Sequence, residues 1–502
     1  MSLIQITNLH FTYDGSYDPV FDGVSVQLDT AWRLGLVGRN GRGKTTLLGL
    51  LSGELSHGGA IRASVDFVRF PPRVEDPEGM TLDVLEALCP KAEQWQLLRE
   101  LARLQVPEEA LWRPFSTLSG GEQTRALLAA LFLEEGRFLL LDEPTNHLDQ
   151  AGRRLLGEYL AGKSGFLLVS HDRALLDRCA DHMLAIERSG LEVQKGNFST
   201  WWENRRRREE FELAENEMLQ REIGRLQDAA RRTTGWSDAV ERSKYGTRNS
   251  GLRPDRGYIG HKSAKMMQRA KNIQQRREAA VEEKSALLKN VEKTEALKLA
   301  QPRLQKTFLL QVRDVAVCRD GMPVGPPVTF ELNVGDRVAL RGPNGCGKTS
   351  LLRLIAGEAL EHTGIVRLPS GLKVSCVAQD SEGLRGDLRD YAREAGLDET
   401  LFLAILRKLD FQRVQFEKDL SALSGGQKKK VLIAKSLCEE AHVLLWDEPL
   451  NYIDLFSRIQ LEELLLSAKP TILFVEHDEV FQERVATKVV EFHVSDVGGG
   501  SR

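Results

Sequence analysis

The chain has 502 residues, of which 41% are hydrophobic and 28% charged, and a net charge of −3. That is a globular composition with room for two or three domains, each with its own core. No run of about 18 apolar residues occurs, which excludes a membrane-spanning helix. The opening MSLIQITNLHFTYDG is neither basic nor followed by a long apolar core, so no secretory leader is expected. Cys89, Cys179, Cys318, Cys346, Cys376 and Cys438 are scattered without a C-x-x-C pair, which points to a reducing, cytoplasmic compartment. The small net charge hides a basic stretch: residues 201–300 hold 23 Lys and Arg against 16 Asp and Glu, and the remainder is acidic.

Taken in order, residues 1–200 alternate predicted strands and helices, which argues for a mostly parallel sheet flanked by helices. The strand LIQITNL comes first. A short apolar strand at 34–37 then runs into Gly38-Arg39-Asn40-Gly41-Arg42-Gly43-Lys44-Thr45, and a helix opens at Thr46-Leu47-Leu48. This is a phosphate-binding loop in the context it needs, a strand before it and a helix after it. Its glycines let backbone N–H groups turn inward onto phosphate oxygens, and the helix N-terminus adds partial positive charge. Lys44 is placed to reach the β- and γ-phosphates, and the Thr45 hydroxyl to ligate Mg²⁺. Further on, the apolar strand 138–141 ends in Asp142 and Glu143. Asp142 can hold Mg²⁺ through water, and Glu143 can accept a proton from an attacking water. The strands FLLV and HMLAIE follow, with His171 after the first of them.

Residues 200–306 read differently. Phe211, Met218, Leu219, Ile223 and Leu226 recur at helical spacing in a highly charged segment at 201–227. Ile273, Ala280, Leu287, Leu288, Val291 and Leu297 repeat the pattern over 265–299. Between them, 232–262 is rich in Gly, Ser, Thr and Asn and reads as a loop. An antiparallel helical hairpin is expected, and about 30 residues per helix makes an arm of about 45 Å. Its tip is basic, with 12 Lys and Arg against 4 Asp and Glu in 225–272. Trp236, Tyr245 and Tyr258 are interleaved with Arg248, Arg253, Arg256, Lys262 and Lys265. Cations interleaved with rings suit a partner that carries phosphates and stackable bases.

A second phosphate loop follows, with Gly342, Asn344, Gly345, Gly347, Lys348, Thr349 and Ser350. Four landmarks recur in order, at offsets of 304 (Gly38 to Gly342), 305 (Ser119 to Ser424), 305 (Asp142 to Asp447) and 306 (His171 to His477). Register held within two residues means an internal duplication. VLLWDE repeats the strand-end carboxylates as Asp447 and Glu448.

Four motifs per copy in this order resemble the ATP-binding cassette (ABC) superfamily, over about 1–200 and 307–495. The resemblance implies an α/β fold of two tandem P-loop ABC-type nucleotide-binding domains, here joined by an α-helical hairpin linker (201–306), with a flexible tail at 496–502. It implies ATPase activity with ATP and Mg²⁺ as cofactors. It identifies His171 and His477 as histidines that sense the γ-phosphate. It makes Ser119-Gly120-Gly121 and Ser424-Gly425-Gly426 signature segments that each close over the nucleotide held by the other domain. Ser119 would complete the site of Lys348, and Ser424 that of Lys44.

The family's metal-side Gln is matched by Gln379, whereas the first copy has Pro72 in VDFVRFPPR. The adenine-stacking aromatic is matched by Tyr13, whereas VAVCRDG has Cys318. Two unequal sites are expected. Two cassettes joined by a charged helical linker look like the ABC-F family, and FDGVSVQLDTAWRLGLVGRNGRGKTTLL, DRGYIGHKSAKMMQRAKNI and LSGGQKKKVLIAKSLCEEAHVLLWDEPLNYID resemble its antibiotic-resistance branch. That implies protection against lincosamides, streptogramin A and pleuromutilins. The implied partner is the bacterial ribosome, with ribosomal RNA and the peptidyl-site tRNA, and neither a membrane partner nor DNA. Housekeeping ABC-F translation factors share the same parts. Fused importer ATPases are expected to lack the arm, and DNA-repair ATPases interrupt a single cassette with far longer coiled coils.

Overall fold

The computed structural model describes residues 2–15, 18–134, 136–146, 148–187, 190–242, 268, 308–379 and 383–492, with the backbone alone over 226–242. The first copy runs β1 (Leu3–Phe11), β2 (Phe21–Asp29), β3 (Arg33–Val37), α1 (Lys44–Leu51), β4 (Gly58–Arg62), β5 (Asp66–Phe70), α2 (Thr81–Leu88) and α3 (Gln94–Arg103). It continues α4 (Gly120–Leu131), β6 (Arg137–Asp142), α5 (Gln150–Ala161), β7 (Phe166–Val169), α6 (Arg173–Cys179), β8 (His182–Glu187) and β9 (Gly190–Lys195). A long helix, α7 (Phe198–Arg242), follows.

The second copy runs β10 (Phe308–Val315), β11 (Cys318–Arg319), β12 (Met322–Pro323), β13 (Val328–Asn333), β14 (Arg337–Arg341), α8 (Lys348–Ala356), β15 (Ile365–Arg367) and β16 (Val374–Val377). Then come α9 (Leu388–Glu394), α10 (Glu399–Lys408), α11 (Gly425–Cys438), β17 (Val443–Asp447), α12 (Leu455–Ala468), β18 (Ile472–Val475), α13 (Glu479–Val485) and β19 (Lys488–Glu491).

Among the described residues each copy carries a larger and a smaller sheet, and the second adds the two-stranded β11-β12 pair. The larger has strand order β5-β6-β7-β3-β8-β9 in the first copy and β16-β17-β18-β14-β19 in the second. It is parallel except for β9, which pairs antiparallel with β8. Its central strands are buried on both faces, so β6 and β17 read as unbroken apolar runs (Phe138–Leu141, Val443–Trp446) rather than as alternation. The smaller sheet is antiparallel, in order β2-β1-β4 and β13-β10-β15. The parallel sheet expected from the opening alternation therefore excludes LIQITNL. β1 buries Ile4 and Ile6 and, past a register shift, Leu9, with exposed residues between them, which suits a strand with one face on the core and one in water.

Ile4, Leu9, Leu34, Leu47 and Leu140 form the first core, and Leu310, Val312, Leu340, Leu351 and Leu445 its repeat. A further cluster in the second copy centres on Trp446, with Phe402, Leu437, Leu461 and Phe481. Each such side chain contributes about 1.5–3 kcal/mol by leaving water. Trp446 is fully buried because its Nε1–H donates to Ser436 Oγ at 2.9 Å, which satisfies its one polar atom.

Both copies fall in one compact unit (Met1–Trp201 with Ala296–Arg502), and Trp202–Glu295 forms another. The loop expected from residue 232 is instead helical as far as Arg242. AARR and DAVER are good helix formers, and a single Gly235 costs only about 1 kcal/mol against Ala. Phe211 and Met218 of the predicted apolar stripe are exposed. The second predicted helix, 265–299, lies outside the described residues apart from the helical Gln268.

Candidate functional site

The parallel sheet explains why the four motifs converge. Asp142 at the end of β6 is in register with Val169 at the end of β7, and Leu36 of β3 is in register with the same Val169. The phosphate loop, the two carboxylates and His171 therefore leave the carboxyl edge of three adjacent strands, where open α/β sheets place ligands. The second copy repeats this, with Asp447 and Leu340 both opposite Val475.

Gly43 and Gly347 precede their helices at φ 93, in the left-handed region that favours glycine. A Cβ at Gly43 would lie 2.5 Å from Val20 Cγ1, so the turn excludes any side chain. Lys44 Nζ folds back over the loop onto the Gly38 carbonyl (2.7 Å) and Asn40 Oδ1 (3.1 Å). Lys348 Nζ likewise donates to the carbonyls of Gly342 (2.8 Å) and Pro343 (2.7 Å). Burial lowers the Lys44 pKa, and Asp454, Glu143 and Asp142 oppose that effect. Thr45 and Thr46 lie in the first turn of α1, and Thr349 and Ser350 in the first turn of α8. Tyr13 OH bonds Thr46 Oγ1 at 2.8 Å, which puts its ring beside the loop helix.

The expected counterpart of Tyr13 needs correction. Asn8 and Asp314 share a left-handed φ, and each donates its N–H to a hydroxyl on the neighbouring strand, Ser25 and Thr329. Counting on from that match brings Arg319, not Cys318, opposite Tyr13. A guanidinium plane can also stack on a ring.

Glu143 (φ 47) and Glu448 (φ 45) are both in left-handed backbone, rare for a residue with a side chain. Each is held there by its own N–H, which donates to Val169 O (2.9 Å) or Val475 O (3.0 Å). Strain of this kind, of order 1–3 kcal/mol, persists where the surroundings over-determine it, and it gathers at working sites. Burial pushes the Glu143 carboxyl up to about 7. Its Oε1 is buried without a hydrogen bond, and His171 Nε2 stands 3.4 Å away. Burial, with Lys44 nearby, holds the His171 ring well below its ordinary pKa, so that it is neutral. Glu448 differs: the His477 side chain, with Nε2 3.5 Å from Oε1, holds its carboxyl below the usual range, and Gln379 Nε2 donates to its Oε2 at 3.0 Å and Asn451 Nδ2 to the same oxygen at 2.5 Å.

The metal-side residues divide in the same way. Asp447 Oδ1 is buried without a hydrogen-bond partner, and burial holds this carboxyl above its usual range, opposed by a bond from Thr349. An orphaned carboxylate oxygen beside a loop threonine and Gln379 fits a divalent cation. In the first copy, Pro72 is the positional counterpart of Gln379: Phe70 pairs with Leu141 as Val377 pairs with Trp446, and each residue lies two further on. There Asp142 Oδ2 accepts from Arg69 Nη2 at 3.1 Å.

Ser119 and Ser424 are N-caps of α4 and α11, each in a reciprocal box with Glu122 or Gln427. The S-x-x-E and S-x-x-Q spacing makes this readable from sequence. Gly426 cannot carry a side chain, because its Cβ would meet Tyr452 O at 2.2 Å. Asn40 and Gly41 of the first phosphate loop share a cavity of about 370 Å³ with Ser424, Gly426, Lys430 and Asp454 of the second copy. That is within the size range of small-molecule sites, about 300–1,000 Å³. Gly120, Gly121 and Gly425 stand at the same helix starts.

Several contacts between the copies were not legible in the sequence. Arg39 Nη1 donates to Asp410 Oδ1 at 2.8 Å, and Asp410 lines the cavity. Arg458 Nη1 donates to the His171 carbonyl at 3.1 Å, and Arg173 forks onto the buried Glu462. Arg178 Nη2 meets Glu479 at 3.0 Å. Of the predicted tip residues, Trp236 lies in α7 with only its backbone described, whereas Tyr245, Arg248, Arg253, Arg256, Tyr258, Lys262 and Lys265 lie outside the described residues.

A family model described as ABC transporter matches residues 21–146 and 326–451, together half of the chain. Among the described residues, no helix is long and apolar enough to cross a membrane. The ribosome protection protein VmlR of Bacillus subtilis (strain 168) is 29% identical, with 96% of this chain and 85% of that protein covered. ATP-binding protein Uup of Caulobacter vibrioides is 30% identical, with 94% and 74% covered. A solved complex of archaeal ribosomal stalk protein aP1 and ribosome recycling factor aABCE1 matches with a TM-score of 0.60 at 20% identity, over 93% of this chain and 85% of that one, a likeness of fold. With two matched cassettes in tandem, each repeating the phosphate loop and the strand-end carboxylates, the chain belongs to the ATP-binding cassette family and is an ABC-F ATPase.

Proposed function

We propose that this ATPase acts on the bacterial ribosome in the cytoplasm and protects it from lincosamides, streptogramin A and pleuromutilins by directing its linker towards the peptidyl-transferase centre. The observation that carries the ATP-gated part is the cavity in which the first phosphate loop faces the Ser424 cap of the second copy. A nucleotide there touches both cassettes, so binding favours their closure and loss of the γ-phosphate favours opening. Lys44 and Lys348 hold phosphate oxygens, and Ser424 with the Gly425 and Gly426 amides caps the γ-phosphate of the first site. By the internal repeat, Ser119, Gly120 and Gly121 cap that of the second. Glu143 and Glu448 accept the proton as water attacks the γ-phosphorus and the bond to ADP breaks. His171 and His477 sense the γ-phosphate. Thr349, Asp447 and Gln379 would hold Mg²⁺, which would supply positive charge to the phosphates; Thr45 and Asp142 are the corresponding residues of the first site, where Arg69 already engages Asp142.

The ribosomal part is supported by the similarity to VmlR, which runs along 96% of this chain and so takes in the linker. Residues 1–200 and 307–495 are the two ATP domains, 201–306 the linker and 496–502 the tail. Arg248, Arg253, Arg256, Lys262 and Lys265 would neutralise RNA phosphates, while Trp236, Tyr245 and Tyr258 stack on bases or press towards the peptidyl-site tRNA. A second reading is a housekeeping translation factor, since the chain is as close in identity to Uup, a protein named for ATP binding alone, as to VmlR.

Growth of a sensitive bacterium on the three drug classes, with and without expression, tests the proposal alongside co-sedimentation with ribosomes. Protection together with ATP-dependent sedimentation is expected. Sedimentation without protection selects the housekeeping reading, and no sedimentation overturns both.

A further inference from the structure

We propose that Arg69 sets the metal dependence of the first nucleotide site: its guanidinium holds a carboxylate oxygen of Asp142, whereas an oxygen of Asp447 is buried without a partner, so the first site takes ATP with little help from Mg²⁺ while the second requires it. This rests on the reading of both sites as ATP-binding.

The two sites can be compared atom by atom because the strands are in register. Arg69 pairs with Leu140 on β6, and Cys376 pairs with Leu445 on β17; Leu140 and Leu445 each stand two residues before the aspartate. Cys376 is therefore the counterpart of Arg69. In the first site, Arg69 forks between Glu54 Oε2 (2.8 Å) and Asp142 Oδ2 (3.1 Å), with only 29% of its side chain exposed. Glu54 closely follows α1 as Glu358 follows α8, so the second copy keeps that carboxylate and lacks the guanidinium.

In the second site the cations near Asp447 are Lys429 and Arg353. Lys429 Nζ donates to the main-chain carbonyl of Asp447 at 3.2 Å rather than to its carboxylate. Asp447 Oδ1 is buried and makes no hydrogen bond. Such an oxygen is costly unless a cation or donor arrives to meet it. Asp447 Oδ1 thus awaits a partner that comes with the nucleotide, whereas Asp142 has a guanidinium bonded to it. A guanidinium stays charged at every pH a protein survives, and held by two carboxylates it is pre-organised. Pro72, which has no ligating atom in its side chain, replaces Gln379 on the same edge. The two departures point the same way.

The test uses the full chain. Lys348→Ala isolates the first site and Lys44→Ala the second, and ATP affinity is measured in Mg²⁺ and in EDTA. The first site is expected to change about threefold or less and the second about tenfold or more, and by linkage Mn²⁺ affinity, read by electron paramagnetic resonance, changes by the same factor on adding ATP. Arg69→Cys should bring the first site to about tenfold or more, and Cys376→Arg should bring the second to about threefold or less. Cys376 is exposed, so that second swap carries the test if Arg69→Cys fails to fold. Equal metal coupling at the two sites, or no response to either swap, overturns the proposal while ATP binding stands. No ATP binding at either site in Mg²⁺ overturns the nucleotide reading itself.

Discussion

With Glu143 and Glu448 as the proposed bases, replacing Glu448 by Gln leaves Glu143 as the sole proton acceptor, and the structure predicts the pH profile of what remains. Burial lifts the Glu143 carboxyl from its ordinary 4.5 to about 7. A base with that pKa is ionised to about one-tenth at one pH unit below it and about nine-tenths at one unit above it. Steady-state ATP hydrolysis by Glu448→Gln should therefore rise about tenfold between pH 6 and pH 8. Glu143→Gln leaves Glu448, whose carboxyl His477, with the Asn451 amide, holds below its usual range, so its activity should be flat across that window. The same shift has a stability sign. The folded pKa of Glu143 is raised, so its contribution is complete below the unfolded value and is lost as pH rises through the folded one. The loss is about 3 kcal/mol between pH 4.5 and 7. Glu143→Gln should therefore be more stable relative to the parent at pH 8 than at pH 5, measured by urea unfolding. A flat profile for Glu448→Gln would refute the burial argument, and parallel profiles for the two variants would refute the inequality of the sites.

Glu143→Gln combined with Glu448→Gln keeps side-chain size and hydrogen bonding, so ATP should still bind and close the cassettes; ribosome sedimentation should show the protein trapped and translation blocked, and normal turnover would count against both residues as bases. Arg173→Ala leaves the fully buried Glu462 with Arg484 as its remaining partner, and breaking a buried pair costs about 3–5 kcal/mol, read as a lower urea midpoint. A loss within the range of surface pairs, about 1 kcal/mol or less, would show that the contact is not closed in solution. Arg39→Ala and Asp410→Ala should each weaken ATP binding at the first site, and the double variant should be no worse than either single one. Shortening 240–258 to a Gly-Ser turn should abolish drug protection with ATP binding intact and ribosome sedimentation weakened less; full protection would reduce the tip to a spacer.

Much of the molecule was determined locally and could be read in the sequence. A phosphate loop needs glycines where the backbone turns left-handed, a lysine, and a helix directly after, all within about ten residues, so Gly43, Lys44 and Thr45 announced themselves twice. The carboxylates end apolar runs that only central strands carry, and the duplication made each motif a check on the other. Tertiary structure decided what depends on partners distant in sequence. LIQITNL reads as a strand in either sheet, and only the pairing of β1 with β2 and β4 placed it outside the parallel one. Arg69 stands in an ordinary-looking strand, 73 residues from Asp142, and no spacing rule connects them. Arg39, Arg173 and Arg458 were among the many arginines of the chain until the two copies met and set them against Asp410, Glu462 and the His171 carbonyl. The difference between Glu143 and Glu448 is invisible in two identical Asp-Glu pairs. It comes from the deeper burial of Glu143 and from the Gln379 and Asn451 amides that donate to Glu448, which the packing of surrounding strands and helices sets and sequence motifs do not record.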